Sequence, residues 1–400
     1  MNAQTAAPRG EARSRLDGLR AALRGNVREY AMYIALVVIF VVSGVATKGL
    51  FLSPRNLTDL IKQTGYVAVL AIGMTVVLII RHIDLSVGYV AGFMGAMSAK
   101  LLTNGFPIYA VIPIVLAIGA AIGAYQGFLV SRVHVPAFVT TLAGMFIFRG
   151  LLSLVTAGTG TIIVRDEAFR ALSNGFIPQI FEGSRHWLTF IIGLACAAVL
   201  AAVKIRARRN ESRAGSSVSP ALLFIFQMAL FTSVILTAAW ILSGYRGLPW
   251  TAAIVAAVLL SVNFVLTQTR FGRSVYAIGG NPEAAELSGI DVAKVTFIVF
   301  CGMSMFASLA GVLYTSRLSS ATPTAGLGFE MDAIASSYIG GVAVSGGVGK
   351  VTNTLVGALV IMSLTNSMNL LGVDISYQYV VKGVIFIVAV AFDILSRRRA

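Results

Sequence analysis

The chain has 400 residues, of which 57% are hydrophobic and 12% charged, and it carries a formal net charge of +15. Soluble chains carry about 25% charged residues, so this composition excludes a soluble globular protein and points to a polytopic helical membrane protein. Long unbroken apolar runs exclude a closed β-barrel, and 40 glycines without a collagen period fit helices packed closely in lipid.

The basic residues cluster just outside apolar runs. The excess of Lys and Arg in cytoplasmic segments of membrane proteins accounts for that pattern, so nucleic acid is set aside as a partner. Residues 1–29 form a basic tail with Arg9, Arg13, Arg15, Arg20, Arg24 and Arg28. Leu16, Leu19, Leu23 and Val27 recur at helical spacing, which leaves two readings open: a segment lying on the membrane surface, or an unstructured tail. Both put the N-terminus in the cytoplasm.

The expected fold is all-α: a single transmembrane domain over 30–396, with a cytoplasmic C-terminus at 397–400. Spans near the ~20 residues that a bilayer requires are expected at 30–50, 64–80, 86–102, 108–130, 136–156, 187–203, 220–243, 249–267, 295–315, 351–371 and 377–395. With a broken passage over 332–349 this gives about 10–12 transmembrane helices, some of them broken or re-entrant. Arg132 and His134, the run Lys204, Arg206, Arg208, Arg209 and Arg213, and Arg397, Arg398 and Arg399 all fall in expected cytoplasmic segments. The loop 157–186 is balanced in charge through Arg165, Asp166, Glu167, Arg170, Glu182 and Arg185, as suits the outside. Cys196 and Cys301 lie within expected spans and read as small apolar side chains.

Three features interrupt the apolar pattern. Gly119, Gly123 and Gly127 share one helical face, as do Gly88 and Gly92, and such faces let helices approach closely in lipid. RHIDLSVG at 81–88 places Asp84 between two apolar runs, where a carboxylate at the bilayer centre costs about 2.5–3.5 kcal/mol. Asp84 therefore sits in a loop at the membrane edge or in a polar interior, and Ser86 is placed to cap the next helix. EMDAIASSYIGGVAVSGGVGK at 330–350 has too many glycines for one uninterrupted helix. It occupies a place in the second half like that of 81–88 in the first, which hints at a duplication. Its Gly349–Lys350 is not a phosphate loop, because Val344 and Val351 stand where the motif needs Gly and a hydroxyl.

Two charges lie inside spans, Arg149 and Lys382. Each either snorkels to the interface or serves an ion pair or pathway. His82, His134 and His186 lie near span ends. No nucleophile–base set or metal motif appears, and no catalytic residue is expected.

The stretch GGNPEAAELSGI, 279–290, is the polar island around which these runs are arranged. Pro282 suits the first turn of a helix. Glu283 and Glu286 are expected in that turn, where the helix dipole favours negative charge, and Gly289 is placed to end it.

This stretch also resembles a known family. Glu283, Ala284, Ala285 and Gly289 match the Glu-Ala-Ala-x-x-x-Gly signature of ABC importer permeases, although the Ile-x-Leu-Pro continuation is absent. RFGRSVYAIGGNPEAAELSGI (270–290) and Ile-Asp-Leu-Ser-Val-Gly (83–88) are similar to the ribose/xylose branch of sugar permeases. The region 187–247, ending in SGYRGLP (243–249), is similar to the longer xylose or multiple-sugar type.

The resemblance implies a permease subunit in the bacterial inner membrane, with no cofactor of its own. Its implied partners are a cytoplasmic ATP-binding subunit, a second permease copy, a periplasmic sugar-binding protein and membrane lipid. It further implies that Gly280, Asn281, Pro282, Glu283, Ala284, Ala285 and Gly289, within a cytoplasmic loop over 268–294, meet the ATPase. Asp84, Ser86 and Arg149 remain as polar candidates for the pathway or for structure. The rival class, an ion-coupled secondary carrier, requires acids embedded in the membrane. Asp84, Asp332, Asp374 and Asp393 are all expected at span ends, which counts against it.

Overall fold

The computed structural model describes residues 27–181, 183–213 and 221–398. The expected tail over 1–26, with its leucine pattern, lies outside the described residues, as do Glu182 and Arg399. Fifteen α-helices follow one another in the described chain: α1 (Val27–Ala46), α2 (Pro54–Ile79), α3 (Val87–Thr103), α4 (Ile108–Ser131), α5 (Ala137–Thr156), α6 (Glu167–Asn174), α7 (Trp187–Arg213), α8 (Ala221–Ser243), α9 (Trp250–Gln268), α10 (Arg270–Gly280), α11 (Pro282–Leu287), α12 (Val292–Leu318), α13 (Phe329–Ile339), α14 (Val351–Leu370) and α15 (Ile375–Arg398). The one sheet among the described residues is a two-residue antiparallel ladder, β1 (Ile162–Ile163) with β2 (Ser320–Ala321).

Among the described residues, eight helices are long and apolar enough to cross a membrane: α2, α4, α5, α7, α9, α12, α14 and α15. The apolar parts of α1 and α8, and all of α3, are shorter than these spans.

The chain divides into two compact units. One contains Pro178–Leu248 and residues up to Ala31. In it α7 and α8 form a hairpin in which Gly193 lies against Ala239 and the rings of Phe190 and Trp240 are 5.7 Å apart. The start of α7 and the end of α8 are joined at His186, whose N–H donates to the Ser243 carbonyl at 2.8 Å and whose Nδ1 lies 2.9 Å from the Thr189 hydroxyl. Helix α7 continues through Lys204, Arg206, Arg208 and Arg209 to Arg213, where an open loop was expected.

The other unit contains 32–177 and 249–400, and α12 is its axis. The expected glycine face of α4 is pressed against it: Gly119 meets Ser304 and Ser308, Gly123 meets Phe300 and Cys301, and Gly127 meets Phe297. α2 and α3 pack on the remaining faces of α12. Close approach through Gly and Ser is how helices associate when lipid is as apolar as their side chains.

Helix α2 begins at Pro54 rather than at 64, capped by Ser53, whose hydroxyl accepts from the Asn56 N–H. The polar run that hid its first turns buries Asn56, Thr58, Lys62 and Thr64 in protein. The Asn56 amide donates to the Phe51 carbonyl at 2.8 Å and to Asn366 of α14 at 2.9 Å, and the Lys62 ammonium lies 4.4 Å from the Phe176 ring centre.

Both sequence breaks adjoin a helix that starts inside the unit, α3 and α13. At 1.5 Å per residue the 11 residues of α13 span about 16 Å, half of a ~30 Å bilayer core. Its first residue, Phe329, stacks on Tyr66 in the middle of α2 at 4.8 Å, and Ser337, further along, donates to the Ala71 carbonyl. Thus α13 runs from mid-depth to the end of α2. The N-terminus of α3 meets the approach to α13, where Gly88 lies against Gly326 and Glu330. Irregular backbone at this depth is sustained because protein surrounds it.

Candidate functional site

The polar island folds as the residue types dictate. Asn281 caps α11 by accepting from the Ala284 N–H at 3.1 Å, and Pro282 is its first residue. Of the two acids only Glu283 lies in the first turn. Glu286 sits near the end of this six-residue helix, because the chain stops at Leu287. The stop is a complete Schellman motif: the Gly289 N–H donates to Glu286 and the Ile290 N–H to Ala285, with Gly289 in the left-handed conformation at φ 85°. Asp291 then caps α12 through the Lys294 N–H at 2.8 Å.

Helix α11 holds to the unit by one buried side chain, Ala285, while Glu283, Ala284 and Glu286 are exposed. Leu287 is 90% exposed, which no packing role requires. Leu287 is thus an apolar tip beside two carboxylates on a turn capped at both ends.

Beneath this turn, the polar island meets two of the interruptions in the apolar pattern, 81–88 and 330–350. Arg81, from the break after α2, donates through Nε to the Gly279 carbonyl at 2.8 Å and through Nη2 to the Gly280 carbonyl. These are carbonyls at the C-terminus of α10, which have no intrahelical partner and favour a cation. The Gly-rich passage meets the same point, since the Gly347 N–H donates to the Ile79 carbonyl at 2.9 Å. Any side chain at Gly279 would run into Ile79 and Gly347. The Tyr276 hydroxyl donates to the Gly349 carbonyl at 2.7 Å, and burial pushes its phenol above the ordinary value, so it stays a donor. The end of α2, the end of α10 and the 343–349 turn are thereby one joint.

Asp84 and Ser86 are not part of that joint. Asp84 is fully buried, and its Oδ1 accepts from the Ser86 N–H at 2.9 Å and the Ser86 hydroxyl at 2.7 Å. Ser86 precedes α3 as expected, but its hydroxyl turns to Asp84 and makes no cap bond to the helix. The Gln126 amide of α4 donates to the same hydroxyl at 2.9 Å. Arg149 lies apart from both groups: it is exposed, with its guanidinium 5.8 Å from the Tyr89 ring centre.

The acids lie at helix ends as expected, but three of them are buried. Asp332 and Asp393 are buried alongside Asp84, whereas Asp374 lies in the turn between α14 and α15. Lys382 of α15 pairs with Asp332 of α13 at 2.9 Å, which resolves its two readings in favour of an ion pair. A carboxylate inside a bundle survives by finding a cation, and the sequence separation of 50 residues concealed this one.

Sequence reasoning missed Arg81, Tyr276 and Gln126 as members of these sites. Arg81 had a visible signal, a cation directly after an apolar run, but its target is main chain and carries no residue-type signature.

Among the described residues the chain is a helical bundle with eight helices long and apolar enough to cross a membrane, and its exposed turn lies between α10 and α12. The family model described as "Branched-chain amino acid transport system / permease component" matches residues 56–390, and the chain belongs to that family. It is 36% identical over 376 residues to the xylose transport system permease protein XylH of Escherichia coli (strain K12), covering 94% of each chain. Identity to XylH of Haemophilus influenzae is 37% over 375 residues, covering 94% of this chain and 98% of the relative. The ribose import permease protein RbsC of Escherichia coli (strain K12) is 33% identical over 380 residues, covering 94% and 97%. No solved structure matches the chain.

Proposed function

We propose that this chain is the membrane-spanning subunit of an ATP-driven importer of a monosaccharide of the xylose or ribose class, with α11 as the element that docks a cytoplasmic ATP-binding subunit. The exposed, doubly capped turn carrying Glu283 and Leu287, anchored on α2 through Arg81, is the observation that carries the docking assignment. The sugar class follows from the names of the relatives, which cover nearly the whole chain. The chain holds no cofactor in this reading, and ATP belongs to the docked subunit. A second copy of the permease completes the pathway, a periplasmic binding protein delivers the sugar, and lipid surrounds the rest.

Orientation follows from the chain path and the charges. The ends of α2 and α4 and the start of α12 lie together, as Gly127 beside Phe297 requires. Arg132 and His134 follow α4 at that end, and Arg270, Arg273 and Lys294 flank α11. This basic end faces the cytoplasm of a bacterial inner membrane, and both termini lie on that side. ATP hydrolysis in the docked subunits shifts the permease pair between outward- and inward-open states by binding one of them better.

Buried Asp84, Asp332 and Asp393 are the observation that favours an ion-coupled carrier. Asp332 already has its cation in Lys382, which leaves it unsuited to carrying a transported ion. The test is co-purification from membranes. Glu283→Lys should reduce recovery of the ATPase subunit at least fivefold with unchanged permease yield. Unchanged recovery together with full uptake removes the docking assignment, and uptake that survives ATP depletion but follows the ion gradient establishes the carrier instead.

A further inference from the structure

We propose that Arg81 is a positioning residue for energy coupling: it ties the base of α11 to α2 and to the Gly346–Gly347 turn, so that displacement of α11 is delivered to the half-helix α13. This inference rests on the docking role of α11.

The geometry of the joint separates it from ordinary packing. Arg81 spends two donors on consecutive carbonyls, Gly279 and Gly280, which terminate the helix directly before α11. A planar fork that reaches two acceptors fixes direction as well as distance, whereas an ammonium fixes neither. Arg81 does this from a left-handed backbone at φ 66°, a conformation that a side chain of this size rarely adopts and that persists only where its surroundings enforce it. Around it the contacts are main chain on main chain. Gly279 lies on the Ile79 carbonyl and on Gly347, and Gly346 lies against the Arg81 stem and the Gly279 carbonyl. No flexible side chain lies between Gly279 and the Ile79 and Gly347 backbones to absorb movement. Tyr276 adds a second tie from α10 to the same turn through the Gly349 carbonyl.

Beyond the joint lies a half-helix bounded by glycines. The turn follows directly on α13, which is bounded by Gly341 at φ 85° after its C-terminal end and by Gly328 at φ 78° before its N-terminal end. Glycines at both ends of a short helix supply the backbone freedom that a hinge uses. Halfway along the unit α13 carries Phe329 against Tyr66 and Tyr314, and its Asp332 grips Lys382 of α15. A rigid joint at one end and hinges around the element it pushes make a lever. The consequence is that breaking the joint should leave the ATPase bound and hydrolysing while the pathway no longer follows.

The test compares Arg81→Ala and Gly279→Ala, which open the joint from opposite sides, with Gly302→Ala on α12, where a side chain meets open space. Each is purified with its ATPase subunit and reconstituted in proteoliposomes. Three quantities are read: ATPase recovery, phosphate release with and without the sugar-loaded binding protein, and uptake of radiolabelled xylose and ribose. The expected result for both joint variants is full ATPase recovery, basal phosphate release within twofold, loss of its stimulation by binding protein, and uptake reduced at least tenfold. Arg81→Lys should recover only part of the uptake, and Gly302→Ala should match the parent. Uptake within twofold of the parent in both joint variants overturns the proposal. Loss of ATPase recovery overturns it too, since Arg81 would then belong to docking itself, and so does failure of both variants to accumulate, which would make the joint a folding contact. If the parental chain itself recovers no ATPase, the docking reading has failed, which is a different outcome from any of these.

Discussion

Helices α2 and α15 are both long and apolar enough to cross a membrane, yet 89% of the apolar window of α2 is buried in the protein and 12% of that of α15. The buried helix is the more polar one. It carries Asn56, Thr58, Lys62, Thr64 and Thr75, all buried, whereas α15 presents Val380, Val384, Ile387 and Val388 outward. In water the order would be reversed. Lipid offers no hydrophobic drive for helix association, so position in this bundle is set by small residues and hydroxyl or amide pairs, and apolarity marks the outside. The joint under α11 is seated on the end of α2, where a push reaches the interior, and not on a helix facing outward.

Substitutions on the two kinds of surface should separate sharply. Gly123→Leu on the α4–α12 seam drives a side chain into the Phe300 and Cys301 backbone and should destabilise by about 3 kcal/mol or more, because the obstacle cannot rotate away. Gly383→Leu on α15 meets open space and should stay within about 0.5 kcal/mol. Heat-unfolding in detergent distinguishes the two, and equal losses would erase the distinction between seam and surface.

Lys382→Met should follow, at about 2–3 kcal/mol, because it strands Asp332; the low end of the range for buried pairs applies to a lysine that keeps 21% exposure. Asp332→Asn in the same chain should restore most of the loss, and a double variant no better than Lys382→Met would show that the pair is not coupled.

A smaller loss is expected at Thr75, whose hydroxyl lies 2.7 Å from that of Thr354 and 3.2 Å from that of Ser337, joining α2, α14 and α13. Thr75→Val keeps the shape and removes both bonds, for a loss of about 1 kcal/mol. A change as small as that of Gly383→Leu would mean that this hydroxyl cluster does not hold α13 to α2.

Much of this was legible in the sequence where a residue type has one dominant use. Asn281, Pro282 and Gly289 delimit α11 because cap, first-turn and left-handed positions each favour few residues. The Gly119, Gly123 and Gly127 face was legible by its period. The first turns of α2 were not, since Asn56 and Lys62 look like loop residues until their partners Asn366 and Phe176 are seen to be distant in sequence. The same holds for Asp332, placed at a span end until Lys382 is found beside it. Arg81 was hidden for a further reason: its acceptors are peptide carbonyls, which every residue possesses.

The most direct measurement is the sidedness of Leu287, carried out as Leu287→Cys in a chain whose Cys196 and Cys301 are replaced by Ser. A membrane-impermeant maleimide should label residue 287 in inside-out vesicles alone, and added ATPase subunit should block the reaction. Labelling in right-side-out vesicles would place α11 on the outer face and contradict its role as the seat of the ATPase.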